Sequence, residues 1–339
     1  MSLVRIGLYG SSGHQLPVEL PAQVRAKVTA VAEEGWQKRA PLPGGADFVP
    51  DLDALLGRAD VDLVSLCSPR RDEQAEHAIR CLRAGRHVLA EKPCAFDSPT
   101  LEKILAVARQ SGREFREMAA SELAPSIQAI RRLVDSGALG TVVHVQAHKS
   151  YPWRENRPQD IGVDGGLVRQ VGIHAVRFIH GASGLRITRV RGTDTGLGNP
   201  GSGGIRMAAA FAVELENAAV GSINLNYLNP SNFGCWGNDQ LRLFGTAGMV
   251  ESVDGFSRGA LYLPERGERT DLPIPGDVAS PLYIEHYVNY LLEGTPMPTP
   301  VEEEVAMTRA MLALHEAAVT GESATVHYPD RSRDAAVRQ

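Results

Sequence analysis

The alternation along residues 4–93 constrains this chain most. Short apolar runs, VRIGLYG, VTAVAE, VDLVSLC and RHVLAEKP, are separated by segments of helical spacing. A strand with no polar face must be covered on both sides, and a parallel sheet flanked by helices provides that cover. The segment DEQAEHAIRCLRAG places Ala78, Cys81 and Leu82 at helical spacing and stops at Gly85, as a crossover helix would. The N-terminal part is therefore expected to be α/β, a doubly wound parallel sheet. Two more helices are expected, one opening at Ser98 and Pro99 as N-cap and first helical residue, the other, SIQAIRRLVDSG, closed by Gly137.

Beyond about residue 140 the pattern changes to successive strands without crossover helices: TVVHVQAHKS, RITRVRGT, RMAAAFAVEL, AAVGSINLNYL, DQLRLFGT and GMVESV. Such an order argues for an α+β domain with a mostly antiparallel sheet. PLYIEHYVNYLLEG and VEEEVAMTRAMLALHEAAVTG return to helical periodicity, the second with Glu302 to Glu304 suited to a helix N-terminus. GNPGSGG, residues 198–204, reads as a surface loop. With 339 residues, two domains are expected: 1–120 for the dinucleotide-type sheet and 121–339 for the α+β part, its C-terminal helices packing back on the first domain.

The net charge of −5, with basic residues scattered, leaves no footprint for nucleic acid or an anionic membrane, so a small molecule is the expected partner. Cys67, Cys81, Cys94 and Cys235 have neither CxxC spacing nor disulfide-framework density, which favours a reducing cytoplasm. The opening MSLVRIGLYG lacks the pattern of an export signal, and no long uncharged apolar run follows, so neither export nor membrane insertion is expected.

GLYGSSGHQ leaves the first strand where a dinucleotide pyrophosphate would meet the amides of a helix N-terminus. A GxGxxG register starting at Gly10 has Ser12 at its second glycine and Gln15 at its third, so the candidate cofactor residues are Gly10, Ser11, Ser12, Gly13 and His14. A tight turn with no ligand would use the same glycines. Pro17 and Pro21 should leave the following helix short or broken. Glu33, 23 residues after Gly10, can accept ribose hydroxyls and repel a 2′-phosphate, favouring NAD over NADP, although Lys38 and Arg39 leave room for NADP.

AGRHVLAEKPCAFD, with Glu91, Lys92 and Pro93, resembles the Glu-Lys-Pro segment of the Gfo/Idh/MocA family of oxidoreductases. VDLVSLCSP, SGALGTVVHV, LRLFGTAGMVES and AAVTGESATVHYP extend the resemblance over nearly the whole chain. It implies an N-terminal Rossmann domain binding NAD(P), with Ser68, Pro69, Glu91 and Lys92 beside the cofactor. It also implies a C-terminal domain whose open sheet forms a homodimer or homotetramer, and hydride exchange at a secondary alcohol of a sugar or polyol. Lys92 would stabilise the reacting oxygen. The family's D-x-G-x-H pattern reads here Gln170-Val-Gly172-Ile-His174, and a spacing of four puts Gln170 and His174 on one helix face. His174 is then the expected proton-exchanging group and Gln170 a positioning one, since an amide takes no proton. No ligand set supports a metal.

Three further positions depart from the family: Gln74 where histidine is frequent, Glu122 where an arginine would precede Pro125, and Arg177 where an acid is frequent. Lys149, Arg154, Arg169 and Arg177 would make a cationic pocket for an acidic substrate, or be solvated or salt-bridged at the surface. Besides a dehydrogenase, an enzyme that uses NAD transiently to assist elimination and a catalytically silent ligand-binding protein remain open.

Overall fold

A computed structural model describes residues 2–33, 35, 43–264, 267, 269–272 and 282–329. The first sheet is built from β1 (Val4–Tyr9), β2 (Ala26–Ala32), β3 (Asp47–Val49), a short α1 (Leu52–Leu56), β4 (Leu63–Leu66), α2 (Gln74–Arg83), β5 (His87–Glu91), α3 (Ser98–Ser111) and β6 (Phe115–Met118). Its strands are parallel in the order β3-β2-β1-β4-β5-β6, so the direction of winding reverses beside β1. In open α/β sheets a crevice forms at that reversal, outside the carboxyl ends of the strands. β4 is buried at every residue, as a strand covered on both faces requires. Asp97 caps α3 through the amide of Thr100 at 2.8 Å, one residue earlier than the expected cap at Ser98.

The helix expected after β1 does not form: residues 10–25 run from β1 to β2 without one. Pro17 and Pro21 withhold two amide donors there. Gln15 holds the connection down, its Nε2 donating to the carbonyls of Tyr9, Gly10 and Ser65 at 3.1, 2.9 and 3.2 Å. Leu16, Val18 and Leu20 pack against the face of the sheet formed by Val4, Ile6, Leu8 and Val28. Helix cover on that face comes from the far end of the chain, where Ile284, Tyr287 and Val288 join the same cluster.

The second part contains a 3-10 turn (Ser121–Leu123), α4 (Pro125–Asp135), β7 (Val142–Pro152), α5 (Ile161–Asp164), a π-helical turn (Val168–Gly172), α6 (Ile173–Ser183), β8 (Ile187–Thr195), β9 (Ala208–Leu215), β10 (Val220–Asn229), β11 (Gln240–Gly245), β12 (Met249–Val253), β13 (Arg258–Tyr262), β14 (Arg269–Asp271), α7 (Tyr283–Glu293), α8 (Val301–Thr320) and β15 (Ala324–Thr325). Its nine strands follow the order β14-β13-β12-β11-β7-β10-β9-β8-β15, antiparallel except where β7 meets β10. β9 alternates buried and exposed residues, so one face of the sheet carries the core. Val171, Phe178 and Ile179 of the π turn and α6, with Met311 and Leu314 of α8, fill that side. No helix among the described residues is long and apolar enough to cross a membrane.

Candidate active site

A cleft of ≈ 230 Å³ lies where the carboxyl ends of β1, β4 and β5 face the segments after β7 and before α6. The first sheet contributes Ser12, Gly13, His14, Arg71, Glu91 and Lys92; the second part contributes Tyr151, Arg154, Arg157, Asp164, Gln170, Tyr227 and Trp236.

Lys92 leaves the end of β5 and is buried. Its Nζ donates to Gln170 Oε1 at 2.6 Å and to the Gln170 carbonyl at 3.1 Å. Gln170 is held in turn, because its Nε2 donates to the carbonyl of Asp164. Gly165, at φ 97°, permits this arrangement: a Cβ there would stand 3.0 Å from Gln170 Nε2 and 3.1 Å from Pro93 Cδ. Burial lowers the Lys92 ammonium from 10.5 to about 8, while Glu91 pulls it back up. The result is an amine that can give or take a proton near neutrality, fixed in direction by an amide that cannot.

His174 is placed differently from the expectation. Val168–Gly172 form a π turn, whose i→i+5 bonding widens the helix, so residues four apart no longer stack. Gln170 reaches the cleft wall; His174 does not line it. The His174 Nδ1 meets Ser121 Oγ at 2.5 Å, and its ring stands edge-on to Tyr151, which does line the cleft. Burial, reinforced by Lys92, Lys149 and Arg177, pushes the imidazole well below its usual range, so it is neutral at pH 7. Nε2 is shut off from solvent without a partner.

Of the cations expected to make the pocket positive, only Arg154 lines it, lying over the exposed ring of Trp236 at 4.3 Å. Lys149 is ion-paired with Asp239 at 2.6 Å. Arg169 is turned to Phe96, bonding its carbonyl at 3.1 Å and stacking on its ring at 4.2 Å. Arg177 is fully buried against Glu122 at 2.8 Å, with Glu117 at 3.7 Å. Two positions that depart from the expected pattern thus pair with each other, the acid at 122 and the arginine at 177. The third, Gln74, donates to the carbonyls of Glu91 and Pro93, bracing the loop that carries Lys92.

Sequence reasoning passed over Arg71, Tyr151, Arg157, Asp164, Tyr227 and Trp236. Arg157 binds Asp164 at 2.6 Å and the Tyr227 hydroxyl at 3.1 Å. The signal for part of this set was YPWRENR, where aromatic and arginine residues gather across the end of β7. No group of described His, Cys, Asp and Glu residues could hold a metal ion.

The residues at the reversal of the sheet fit a dinucleotide. Gly10, at φ 72°, lies so close to β4 that a Cβ would sit 1.9 Å from the Cys67 carbonyl oxygen, which brings the loop down onto the crevice. Among the described residues, the chain's own bonds occupy the amide of Ser12 and leave those of Ser11 and Gly13 for other acceptors. Glu33, directly after β2, receives Ser11 Oγ at 3.5 Å, so a carboxylate stands beside the loop where a ribose would lie. Ser68 is fully buried, its hydroxyl against His77 Nδ1 at 2.9 Å, and supports the floor rather than facing the cleft. Glu91 is held by His14 at 3.0 Å. Lys38 and Arg39 lie outside the described residues.

Residues 4–117 match the family described as oxidoreductase family, NAD-binding Rossmann fold, and residues 127–251 match the GFO/IDH/MocA C-terminal domain. The chain is 35% identical over 241 residues to dTDP-3,4-didehydro-2,6-dideoxy-alpha-D-glucose 3-reductase from Streptomyces violaceoruber, covering 63% of this chain and 68% of that one. The chain belongs to the Gfo/Idh/MocA family of oxidoreductases. A reductase of the same description from Actinomadura kijaniata is 34% identical over 51% of this chain and 54% of its own length. The fold also matches the WlbA dehydrogenase from Bordetella pertussis, a structure in complex with NADH and UDP-GlcNAcA, at a TM-score of 0.79 and 19% identity, covering 97% of this chain and 99% of that one. The match to the NAD-binding Rossmann family spans the first sheet, Lys92 included.

Proposed function

We propose that this protein is an NAD(H)-dependent oxidoreductase that interconverts a secondary alcohol and a ketone on an anionic sugar derivative. The observation that carries the reading is Lys92: a buried amine at the cleft floor, held by Gln170 at 2.6 Å and lowered to about 8. When bound, the nicotinamide supplies or accepts the hydride. Lys92 polarises the substrate oxygen and passes the proton, a role assigned here to Lys92 in place of His174. Gln170 fixes the direction of Nζ without neutralising it. His174, neutral and bonded to Ser121, supports Tyr151 at the cleft wall. Water is limited by the aromatic side chains of Tyr151, Tyr227 and Trp236.

Substrate charge is inferred from the lining. Arg157 is matched by Asp164, whereas Arg154 stands over the half-exposed Trp236 and has no carboxylate within ion-pair distance among the described residues. A carboxylate or phosphate bonded to Arg154, with the sugar ring against Trp236, fits this pair. The dTDP-sugar reductases and the UDP-GlcNAcA-bound dehydrogenase provide anionic precedents. NAD is favoured over NADP by Glu33 beside Ser11.

Two broader assignments belong to the same proposal. The outer face of β9 and β10 exposes Ala210, Ala212, Val220 and Leu228, and a second copy of the chain would cover it; sedimentation of the protein and of Val220→Lys tests this, a monomeric wild type refuting it. Buried thiols at Cys67, Cys81 and Cys94 suit a reducing cytoplasm. The enzymatic reading is tested with NADH and anionic keto-sugars: Lys92→Ala should lower turnover by about 10²–10⁴ while NADH still binds. Equal turnover in the variant would refute it. A wild type that binds NADH and turns over none of these substrates would point to a silent binding protein.

A further inference from the structure

Arg71 is a buried arginine of the cleft whose direct partners are all neutral. It follows β4 and is only 3% exposed. Its guanidinium donates to the carbonyl of Ser12 at 2.6 Å, the carbonyl of Ser68 at 3.2 Å and Gln74 Oε1 at 3.2 Å, all of them neutral acceptors. Among the described residues no carboxylate lies within ion-pair distance; the neighbouring Glu91 interacts with Arg71 through space only and is bonded instead to His14 at 3.0 Å. The other buried arginines are accounted for: Arg116 by Glu304, Arg177 by Glu122, Arg186 by Glu303, and Arg169 by the ring of Phe96. Burying a guanidinium without a directly bonded counter-charge is costly, and part of that cost is recovered when an anion binds it.

Position says which anion. Arg71 touches the loop after β1, and Gly13 lacks a side chain where one would fall 2.4 Å from Arg71 Nη2. In the usual arrangement a helix N-terminus after this loop supplies positive potential to a pyrophosphate. Here residues 10–25 form no helix, so that source is missing. We propose that Arg71 replaces it, binding the dinucleotide pyrophosphate as its counter-charge from the β4 side of the crevice. The proposal rests on the dinucleotide reading above. Nη2 exchanges the Ser12 carbonyl for a phosphate oxygen, while Nη1 stays anchored to Ser68 and Gln74. The guanidinium is therefore already positioned before the ligand arrives.

Calorimetric titrations of wild type, Arg71→Gln and Arg71→Lys with NADH, ADP-ribose and adenosine test this. Arg71→Gln should weaken NADH and ADP-ribose about 10- to 100-fold, as expected for a charge-assisted hydrogen bond, and leave adenosine binding unchanged. Arg71→Lys, which keeps the charge and loses the fork, should fall between. Should Arg71→Gln also lose adenosine through misfolding, the wild type decides: its ADP-ribose affinity should fall with added salt more steeply than its adenosine affinity. ADP-ribose bound equally by wild type and a folded Arg71→Gln, or with no salt dependence in the wild type, overturns the proposal and leaves the dinucleotide reading intact. A wild type that binds neither NADH nor ADP-ribose overturns both.

Discussion

Replacing Gln170 by aspartate puts a carboxylate at the residue that holds Lys92. In the wild type Nζ lies 2.6 Å from a neutral amide oxygen, and burial has lowered the amine to about 8. Aspartate is one carbon shorter, so its nearer oxygen would stand at about 4 Å, where an effective dielectric of about 20 gives roughly 4 kcal/mol of attraction. At about 1.4 kcal/mol per unit that is an upper limit of roughly 3 pKa units, and burial of the new carboxylate reduces it, so a rise of about 1–2 units is expected. The sign follows from the chemistry. Alcohol oxidation needs the neutral amine to accept the hydroxyl proton, so its rate climbs as pH rises through the Lys92 pKa; ketone reduction needs the ammonium and falls over the same range. Gln170→Asp should move both limbs to higher pH, slowing oxidation at pH 7 about tenfold or more and extending reduction into alkaline solution. The assay is the pH dependence of kcat in each direction, with NADH affinity measured alongside. An active variant whose limbs stay near pH 8, or move down, would refute the placement of Lys92 as the proton-carrying group.

Gly10→Ala forces a side chain into a φ of 72° with its Cβ 1.9 Å from the Cys67 carbonyl oxygen; the left-handed backbone alone costs about 1–2 kcal/mol. A lower Tm and lost NADH binding are expected, and an unchanged Tm would contradict the loop's approach to β4. Arg177→Met strands Glu122 and Glu117 in the interior, and chemical denaturation should show a loss of about 3–5 kcal/mol; a near-neutral effect would mean the pair is not buried as described. His87 and His315 are each lowered from 6.5 to about 4 by burial, and His87 Nδ1 accepts the amide of Glu114 at 3.0 Å, which requires it unprotonated. Between those values the unfolded chain binds protons that the native one does not, so stability should fall as pH drops from 6.5 towards 4. Flat thermal stability over that interval would contradict the two assignments.

The parallel sheet was legible because a strand buried on both faces leaves a mostly apolar run, and β1, β4 and β5 each do, with Arg5 and Ser65 as single interruptions. Lys92 was legible because EKP stands directly after such a run. The missing first helix was only half legible: Pro17 and Pro21 announced a weakened helix, but the cover supplied by α7 comes from residues 283–293, too distant for any local pattern to reveal. His174 was expected to stack with Gln170 because four-residue spacing was read as an α-helix, and the π turn between them leaves no mark in VRQVG. For Arg169 and Arg177 a pocket and a surface position, solvated or salt-bridged, both stood open; their partners Phe96 and Glu122, distant in sequence, bury them instead. β13 and β14 were missed, the latter a three-residue strand with exposed side chains throughout and thus no apolar alternation to detect.

In the proposed reaction Lys92 and the nucleotide loop serve one hydride transfer at a sugar carbon. The most direct measurement mixes NADH-loaded protein with a nucleotide-activated keto-sugar in a single turnover and follows the nicotinamide absorbance. An exponential loss in the wild type, at least about 10²-fold slower in Lys92→Ala at equal NADH occupancy, is the predicted result. A loss as fast in the variant as in the wild type would contradict it.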